Sequence, residues 1–488
     1  MSHIIGIDIG TSGIKVGAMD QEADLAFITK QSNSLLYPKN GWVEIDFQVV
    51  WNKTKKLIEE TMNKVSEIGG EVDAISLSTF CNSSIHMDEQ GNPLGNGIIY
   101  LDRRSIDQAK QIRENIGDET IYNVTRNRLE PGMYTVTSLL WMKETHPEIY
   151  ENTYKWGNLS TYILYKLTGE FVMDWTQASY TGLYDVINYE WSDDIGETLG
   201  INKHILPEVV SPFEVIGNYK GISVVAGAAD TACSSFSLSL APNQMFESVG
   251  TSNVLTLCTS NPDFLDTRFL NRCYVWPGQW LSHGAMSTPG AAVNWFYNNF
   301  LENEGSKALL EALPDDSEIG ANGVFFLPYM LGERSPIWDP NARGVFAGLQ
   351  LTTSKADMLR AIFEGTAFGL RQIDEIIKKN YQLQFKKFQS IGGGSKNKAW
   401  AQIKANVLKK EIEIKEVSET GVYGSCLIAA QAISYFDNAD HNGSIIKNKT
   451  ISQVLPDEST YEKYEDLYNK FNLLYPSMKD FFQAAANN

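Results

Sequence analysis

The sequence predicts an α/β protein built from two similar halves, and three observations support this. The chain has 488 residues, which exceeds one ordinary domain. Apolar strand-like segments such as 74–78 alternate with amphipathic helix-like segments such as 51–68, as in layered α/β folds. A short hairpin signal near the start recurs close to the middle. We therefore predict two domains, 1–242 and 243–488, joined by a short hinge near residue 242.

The recurring signal is a strand, a Gly-Thr-Ser tip and a second strand. In the first copy, apolar residues over 4–9 lead into Gly10-Thr11-Ser12 and continue over 14–19. In the second copy, residues 245–249 lead into Gly250-Thr251-Ser252 and continue over 254–257. Alternating apolar residues on both sides of a polar, glycine-bearing tip are typical of a β-hairpin. The same tip in the same context, at nearly half the chain length, indicates a duplicated domain.

Composition places the chain among proteins with large cores. Hydrophobic residues make up 43% and charged residues 20% of the sequence. The five cysteines are scattered, with no CxxC pair, so we expect reduced thiols. No opening segment combines a basic start with an apolar run, and no stretch approaches the roughly 20 apolar residues that a membrane span needs. We expect a cytoplasmic protein without a membrane partner.

The net charge of -18 argues against nucleic-acid binding, which requires a basic surface. A nucleotide can still bind, because salt limits the field of the whole molecule to a Debye length of about 8 Å. Backbone amides or a magnesium ion can then dominate a local site. Phosphate binding must therefore come from local geometry.

The first hairpin is a candidate phosphate-binding loop. The chain contains no Gly-Lys dipeptide, which excludes a Walker A loop, and no GxGxxG dinucleotide motif. A hairpin tip can bind phosphate through outward N–H groups and hydroxyls, with Asp8 at the strand end ordering waters around magnesium. An ordinary tight hairpin with a polar tip is the alternative. The candidate ATP-binding residues here are Gly10, Thr11, Ser12 and Lys15.

Asp230 is the candidate catalytic residue. It ends an apolar strand over 224–229 and precedes a helix-like run of small residues. Catalytic groups in α/β proteins commonly lie at the carboxyl ends of strands. A helix N-terminus favours the ionised carboxylate, which can accept a hydroxyl proton. Simple capping of the following helix by Asp230 is the alternative.

A triple glycine at 392–394 lies between a strand-like segment at 388–391 and a helix-like segment from residue 397. Bare backbone at Gly393 and Gly394 would let a flat adenine ring lie against it. Ser395 and Asn397 would offer polar contacts. A plain glycine turn is the alternative.

Residues 344–364, with Gly-Val-Phe-Ala-Gly-Leu, Asp-Met and Ala-Ile-Phe-Glu in order, resemble the second signature of the FGGY carbohydrate kinases. Both hairpins, the strand that ends at Asp230 and the triple glycine resemble motifs of this family in the same order. Further similar segments lie at 327–329, 332–336 and 421–430. The resemblance spans nearly the whole chain.

This resemblance implies duplicated actin-like, ribonuclease H-like ATPase domains that flank a cleft, with sugar held mainly by the first and ATP mainly by the second. Asp230 matches the family's catalytic base, and it would also contact sugar and metal. Asp8 matches the magnesium-linked carboxylate. The phosphate loops and adenosine pocket fall on Thr11, Gly250, Thr251, Gly393, Gly394 and Asn397. The implied reaction transfers the γ-phosphoryl group of Mg-ATP in line to a primary hydroxyl.

The sugar-facing positions depart from the xylulose and gluconate kinases. Those enzymes carry Met-His-Gly or Met-His-Ser where this chain has Cys81-Asn82-Ser83, whereas Asp102 and Arg104 of their Asp-x-Arg motif are retained. The first family signature also differs, because Ser138 stands where lysine is usual. The candidate substrate-binding residues are Cys81, Asn82, Asp102, Arg104 and Asp230.

The choice of acceptor stays open at this point. Asn82 donates and accepts hydrogen bonds without titrating, which suits neutral hydroxyls. We expect a ketopentose such as D-xylulose. Arg103 would favour an aldonate such as gluconate if it reached a carboxylate, and a polyol is a further alternative. An actin-like ATPase without a sugar substrate is the alternative from another class. Many family members are dimers, so the resemblance also implies a homodimer.

Overall fold

The computed structural model describes residues 1–301, 308–417, 419–436 and 449–486. The chain forms two compact units. The first contains Met1–Leu240, Arg272–Trp280 and Val417–Asn448, and the second contains Ala241–Asn271, Leu281–Glu416 and Lys449–Asn488. Each unit therefore combines segments that are distant in sequence.

The strands are, in chain order, β1 (Ser2–Ile9), β2 (Gly13–Met19), β3 (Leu25–Ser32), β4 (Glu44–Ile45), β5 (Glu71–Thr79), β6 (Ser83–Met87), β7 (Gly97–Ile99), β8 (Lys155–Gly157), β9 (Val172–Asp174), β10 (Tyr184–Asp185), β11 (Glu190–Trp191), β12 (Glu208–Val210), β13 (Val215–Tyr219), β14 (Ile222–Ala229), β15 (Gln244–Val249), β16 (Asn253–Thr259), β17 (Leu270–Cys273), β18 (Trp280–Met286), β19 (Phe325–Leu327), β20 (Val345–Ala347), β21 (Lys387–Ile391), β22 (Glu411–Glu416) and β23 (Lys449–Val454).

The α-helices are α1 (Phe47–Glu67), α2 (Ile106–Ile116), α3 (Asp118–Thr125), α4 (Thr135–Thr145), α5 (Pro147–Glu151), α6 (Leu159–Thr168), α7 (Trp175–Ala178), α8 (Asp193–Thr198), α9 (Asp230–Ser237), α10 (Pro289–Phe296), α11 (Leu309–Ala312), α12 (Lys355–Tyr381), α13 (Lys398–Leu408), α14 (Thr420–Ala432) and α15 (Tyr461–Ala486).

The main sheet of the first unit has the order β13-β14-β5-β1-β2-β3. β1 and β2 form the predicted hairpin with antiparallel pairing, and β5 lies parallel to both β1 and β14. The carboxyl ends of β1, β5 and β14 therefore meet at one edge of this sheet. The core on the sheet contains Ile5, Ile7, Leu77 and Val224, which are fully buried.

The main sheet of the second unit has the order β17-β18-β16-β15-β21-β22-β23. β15 and β16 form the second predicted hairpin, and β15 pairs in parallel with β21, as β21 does with β22. A hairpin followed by two parallel neighbours thus occurs in both units, which confirms the predicted duplicated α/β fold. The second unit buries two apolar clusters, one around Phe363 and one around Ile373.

Two predicted helix boundaries need correction. The helix predicted over 51–68 begins earlier, at Phe47, because Asp46 caps it by accepting the Val49 N–H. The helix predicted from Gly421 to Phe436 ends at Ala432. Ser434 adopts a left-handed φ of 53°, and the Tyr435 N–H donates back to the Ala430 carbonyl, which is a helix-ending Schellman arrangement. Within the described residues, no helix is long and apolar enough to span a membrane.

Candidate active site

Asp8 and Asp230 lie at strand ends on the same edge of the main sheet of the first unit, with β5 between β1 and β14. Asp8 is the penultimate residue of β1, and its Oδ1 accepts a hydrogen bond of 2.7 Å from the Ser78 hydroxyl on β5. Asp230 follows β14 and opens α9, where its Oδ1 accepts the Thr231 N–H at 2.7 Å. No side chain caps α9 at its N-cap residue, Ala229. Asp230 is thus the first residue of α9 and not its N-cap residue, although its side chain accepts one N–H of the first turn.

The charge of Asp8 acts on the carboxylate of Asp230. Burial, and then the charge of Asp8, raise the pKa of Asp230 to about 7. Burial also raises the pKa of Asp8, although Ser78 and Lys15 oppose this shift. A cation shared by both groups would relieve the cost of the two negative charges. The donor set fits magnesium, which takes one or two carboxylates and completes its shell with phosphate oxygens and water.

Asp8 and Asp230 are the two side chains that could bind a magnesium ion here. In the described ranges, no group of three or more His, Cys, Asp or Glu side chains is arranged to hold a metal. A magnesium ion here would therefore arrive with the nucleotide, as it does in other ATP-dependent phosphotransferases.

Hydrogen bonds to backbone carbonyl groups stabilise the tip of the first hairpin. Gly10 N–H donates to the Gly13 carbonyl at 2.8 Å. Asn33 donates from its side chain to the Gly10 carbonyl at 2.8 Å and from its backbone to the Ser12 carbonyl at 3.0 Å. These contacts hold the tip at residues 10–13 in place. Lys15 forms an ion pair with Glu419, so its predicted phosphate contact would require this pair to open.

Helix α14, nearly 190 residues after α9, lies against Asp8. A β-carbon added to Gly421 would overlap the Asp8 carboxylate. The Thr420 hydroxyl is 2.9 Å from the Ser234 hydroxyl of α9. The positive N-terminal end of a helix favours a nearby carboxylate in its charged form. Sequence reasoning recognised the 421–430 segment only as a family-like motif and did not connect it with Asp8.

Cys81 and Asn82 follow the end of β5. The Cys81 thiol is 3.6 Å from Asp230 Oδ1, and burial raises the pKa of this thiol well above its usual range. Asn82 adopts a left-handed φ of 61°, a conformation that asparagine tolerates better than most residues. Its side-chain amide donates to the Met133 carbonyl. The structure thus places Cys81 beside Asp230. Asn82 instead stabilises the local backbone, through its left-handed conformation and its hydrogen bond to the Met133 carbonyl.

Asp102 and Arg104 form a buried network of their own. The Arg104 guanidinium donates at 2.7 Å to both Asp102 and Glu44, and it stacks 3.7 Å above the Trp42 ring. Asp102 also accepts the Val43 N–H at 2.6 Å. These interactions bind segments 42–44 and 102–104 together. Substrate contact by Asp102 and Arg104 remains a prediction.

Arg272 was not found from the sequence. Its Nη1 donates to the Thr231 hydroxyl at 2.9 Å, and its guanidinium lies 3.8 Å from the centre of the Tyr180 ring. The side chain is buried, and its charge lowers the pKa of Cys81 against the larger effect of burial. A buried cation therefore lies beside the residue after Asp230. No local motif could indicate this, because residues 272–280 join the first unit only in the fold.

The second unit carries the other candidate loop residues. Gly250 N–H donates to the Ser252 carbonyl at 2.9 Å, and Ala291 N–H of α10 donates to the Thr251 carbonyl at 3.0 Å. A β-carbon on Gly290 would overlap the Gly250 carbonyl. The N-terminus of α10 is therefore packed directly on the second hairpin tip, another relationship that the sequence did not reveal.

The triple glycine lies between β21 and α13. Gly392 has a φ of 95° and packs on the Val249 backbone, whereas a β-carbon on Gly393 would meet no atom within 4 Å. Ser395 donates to the Gly392 carbonyl at 2.7 Å. Asn397 caps α13 by accepting the Trp400 N–H at 2.8 Å. One side of Gly393 is therefore open, and its contact with an adenine ring remains a prediction, while Ser395 and Asn397 shape the loop.

The comparisons with known proteins agree over the whole chain. Residues 3–236 match the N-terminal domain, and residues 245–433 the C-terminal domain, of the FGGY family of carbohydrate kinases. A xylulose kinase of Staphylococcus xylosus is 29% identical over 97% of this chain and 100% of its own length. A gluconokinase of Bacillus licheniformis is 25% identical over 100% of this chain and 98% of its own length.

A solved structure supports the fold. The ligand-bound xylulose kinase from Lactobacillus acidophilus superposes with a TM-score of 0.92, at 24% identity, over 99% of this chain and 100% of that protein. Both matched domains, the similarity over full length and the shared fold lead to one conclusion. The chain belongs to the FGGY family of carbohydrate kinases and is a sugar phosphotransferase that uses ATP.

Proposed function

We propose that the protein phosphorylates a ketopentose, with D-xylulose as the first candidate, at the expense of Mg-ATP. The observation that carries the chemistry is the pair of partly buried carboxylates, Asp8 and Asp230, at strand ends on either side of β5, with the pKa of Asp230 raised to about 7. The xylulose kinase that is 29% identical over its full length supports this acceptor. The arrangement offers a base at neutral pH and a place for magnesium.

In this mechanism, Asp230 accepts the proton of the sugar hydroxyl as that oxygen attacks the γ-phosphorus. Asp8 and Asp230 would hold a magnesium ion, which would neutralise charge on the phosphate oxygens. Arg272 holds the Thr231 side chain and thereby the first turn of α9. Cys81 stays a neutral thiol and donates toward Asp230.

We assign sugar binding to the first domain, 1–242, and ATP binding to the second, 243–488. In the first, the hairpin residues Gly10, Thr11 and Ser12 would contact phosphate. In the second, the proposed nucleotide contacts are the tip at 250–251 and the open face of Gly393, with Gly394, Ser395 and Asn397 shaping the loop.

Gluconate is the second candidate, and two observations support it. A gluconokinase is similar over its full length. Arg272 also places a buried positive charge beside Thr231, where it could bind the carboxylate of an aldonate. Arg103, the arginine that the sequence suggested for this role, is exposed and donates to the Pro131 carbonyl at 3.3 Å. It therefore offers the aldonate little support.

The test is a coupled ADP-release assay with D-xylulose, D-ribulose, gluconate and glycerol. We expect D-xylulose to give the highest kcat/KM. Gluconate as the best substrate would replace the ketopentose assignment, and a flat response to all four would overturn both.

Gel filtration tests whether the protein forms a homodimer, which we propose by analogy with many family members. The five cysteines are buried and none of them forms a disulfide, which supports a reducing cytoplasmic setting.

A further inference from the structure

A short turn beside Asp230 is organised by a buried carboxylate. Asp174 ends β9 and caps α7, and its Oδ1 accepts the Thr176 N–H at 2.9 Å and the Gln177 N–H at 3.2 Å. The same oxygen accepts the Thr176 hydroxyl. Asp174 and Thr176 are completely buried. One carboxylate oxygen therefore fixes both the backbone and the hydroxyl of this turn.

The Thr176 hydroxyl connects this turn to the strand that carries Asp230. A hydroxyl has one proton, and here Asp174 accepts it, so the oxygen of Thr176 is left as an acceptor. It accepts the N–H of Ala229 at 2.8 Å. Ala229 is the last residue of β14 and is covalently joined to Asp230. Because Asp174 accepts the hydroxyl proton, the Thr176 oxygen is oriented to accept the N–H of Ala229, next to the proposed base Asp230.

The pairing of β14 with β5 is irregular close to the end of β14. The pairing of β14 with β5 shifts register between Val225 and Ala228. Gly227 lies in this irregular stretch with a φ of 75°, and a β-carbon there would overlap the Leu77 backbone. Regular ladder hydrogen bonds are therefore interrupted two residues before Ala229. The contact from Thr176 holds the strand just after this irregular stretch, at Ala229, which pairs with Thr79.

The same turn also holds the neighbouring strand. The Gln177 side chain donates to the Thr79 carbonyl at 3.1 Å and to the Thr79 hydroxyl at 2.8 Å. Thr79 ends β5, two residues before Cys81. The turn at 174–177 therefore fixes the two strand ends that lead to Asp230 and to Cys81.

We propose that Asp174 and Thr176 are positioning residues that set the orientation of Asp230 for proton transfer. This inference rests on the proposed role of Asp230 as the base. A displacement of about 1 Å at a reacting group can cost on the order of 100-fold in rate. Loss of the Thr176 hydroxyl should therefore slow the chemical step more than it weakens ATP binding.

The experiment compares Thr176→Val, which keeps the shape but lacks the hydroxyl, with Thr176→Ser, which keeps the hydroxyl. We expect Thr176→Val to lower kcat by about 10- to 100-fold, with the KM for ATP changed less than about twofold. Thr176→Ser should stay within about threefold of wild type. The matched control is Thr54→Val in α1, which also loses a buried hydroxyl, one that donates to the Val50 carbonyl at 2.8 Å.

A second pair of variants tests the carboxylate. Asp174→Asn can keep an oxygen at the position of Oδ1, where all three hydrogen bonds are accepted, so its kcat should stay within about threefold of wild type. Asp174→Ala loses all three acceptor contacts and should behave as Thr176→Val does. Melting temperatures report folding. If both Thr176→Val and Asp174→Ala fail to fold, the pair acts in stability and the proposal is overturned.

Adding Thr176→Val to Asp230→Asn separates this proposal from the assignment of the base. If Thr176 acts through Asp230, the second change should slow the residual turnover by less than about threefold. An equal slowing in both backgrounds would overturn the positioning role. So would a kcat for Thr176→Val that matches Thr54→Val. A fully active Asp230→Asn would instead refute the base itself.

Discussion

Lys404 of α13 places its ammonium group 2.7 Å from both carboxylate oxygens of Glu247 on β15, and both side chains are almost completely buried. Glu247 also accepts the Asn253 amide at 2.8 Å and the Ser390 hydroxyl at 2.6 Å. Asn253 closes the second hairpin, and Ser390 lies two residues before the triple glycine. One buried ion pair thus joins the two loops of the second unit that we assign to the nucleotide.

Lys404→Met should destabilise the protein by about 3–5 kcal/mol, because it leaves Glu247 as an uncompensated buried charge. Lys409→Met is the matched control one turn later, since Lys409 forms an ion pair of 2.9 Å with Glu465 in which both side chains are about 40% exposed. That exposed pair should contribute only about 0–1 kcal/mol. Urea unfolding measures both variants, and equal losses would contradict a special role for the buried pair.

Asp230→Asn should lower kcat by at least about 100-fold, because the amide cannot accept the hydroxyl proton. The KM for ATP should change less than kcat, since Asp8 would still hold the magnesium ion and the proposed adenosine contacts lie in the second unit. Initial-rate kinetics with the best sugar of the panel provide the measurement. Retention of more than about a tenth of the wild-type kcat would rule out a base function for Asp230.

Gly421→Ala should impair turnover by about 10- to 100-fold, because the added methyl group displaces the Asp8 carboxylate against which α14 packs. Gly196→Ala in α8 is the control, since a β-carbon there meets no atom within 4 Å. This control should keep its activity. A Gly421→Ala enzyme as active as Gly196→Ala would show that Asp8 tolerates movement, and its proposed role with magnesium would be in doubt.

The stability of the protein should depend on pH through Glu333. Its Oε1 accepts the N–H groups of Ser287 and Arg334 at 2.6 and 2.8 Å, and its Oε2 is buried without a hydrogen-bond partner in the described structure. Burial raises the pKa of Glu333 to about 7 from an ordinary 4.5. The folded state therefore keeps a proton that the unfolded state has lost, so this contribution to stability falls as pH rises from about 4.5 through 7.

Glu333→Gln removes this titration. Between pH 5 and pH 8, the wild type should lose up to about 3 kcal/mol of stability relative to the glutamine variant. Urea unfolding of both proteins at both pH values tests this. A stability difference that the amide introduces equally at both pH values does not affect the comparison. Parallel pH dependence of the two proteins would mean that Glu333 is ionised in the fold at both pH values.

Local patterns predicted much of the candidate site. Both hairpin tips, the strand that ends at Asp230 and the glycines at 392–394 depend on the few residues around them, so the structure forms the predicted elements there. The end of α14 was missed because it depends on a left-handed Ser434, a residue without a strong preference for that conformation. Only the structure showed that Asp230 is the first residue of α9 and not its N-cap residue.

The two-domain α/β class, the family resemblance and the candidate base follow from the amino-acid sequence, because short-range periodicity and turn chemistry encode strands, helices and hairpin tips. The surroundings of these elements follow from the folded structure. Gly421 lies on Asp8, Arg272 holds Thr231, and Thr176 anchors Ala229, all across long stretches of chain. Burial and neighbouring charge then set the pKa of Asp230, and both depend on residues that local sequence cannot bring together.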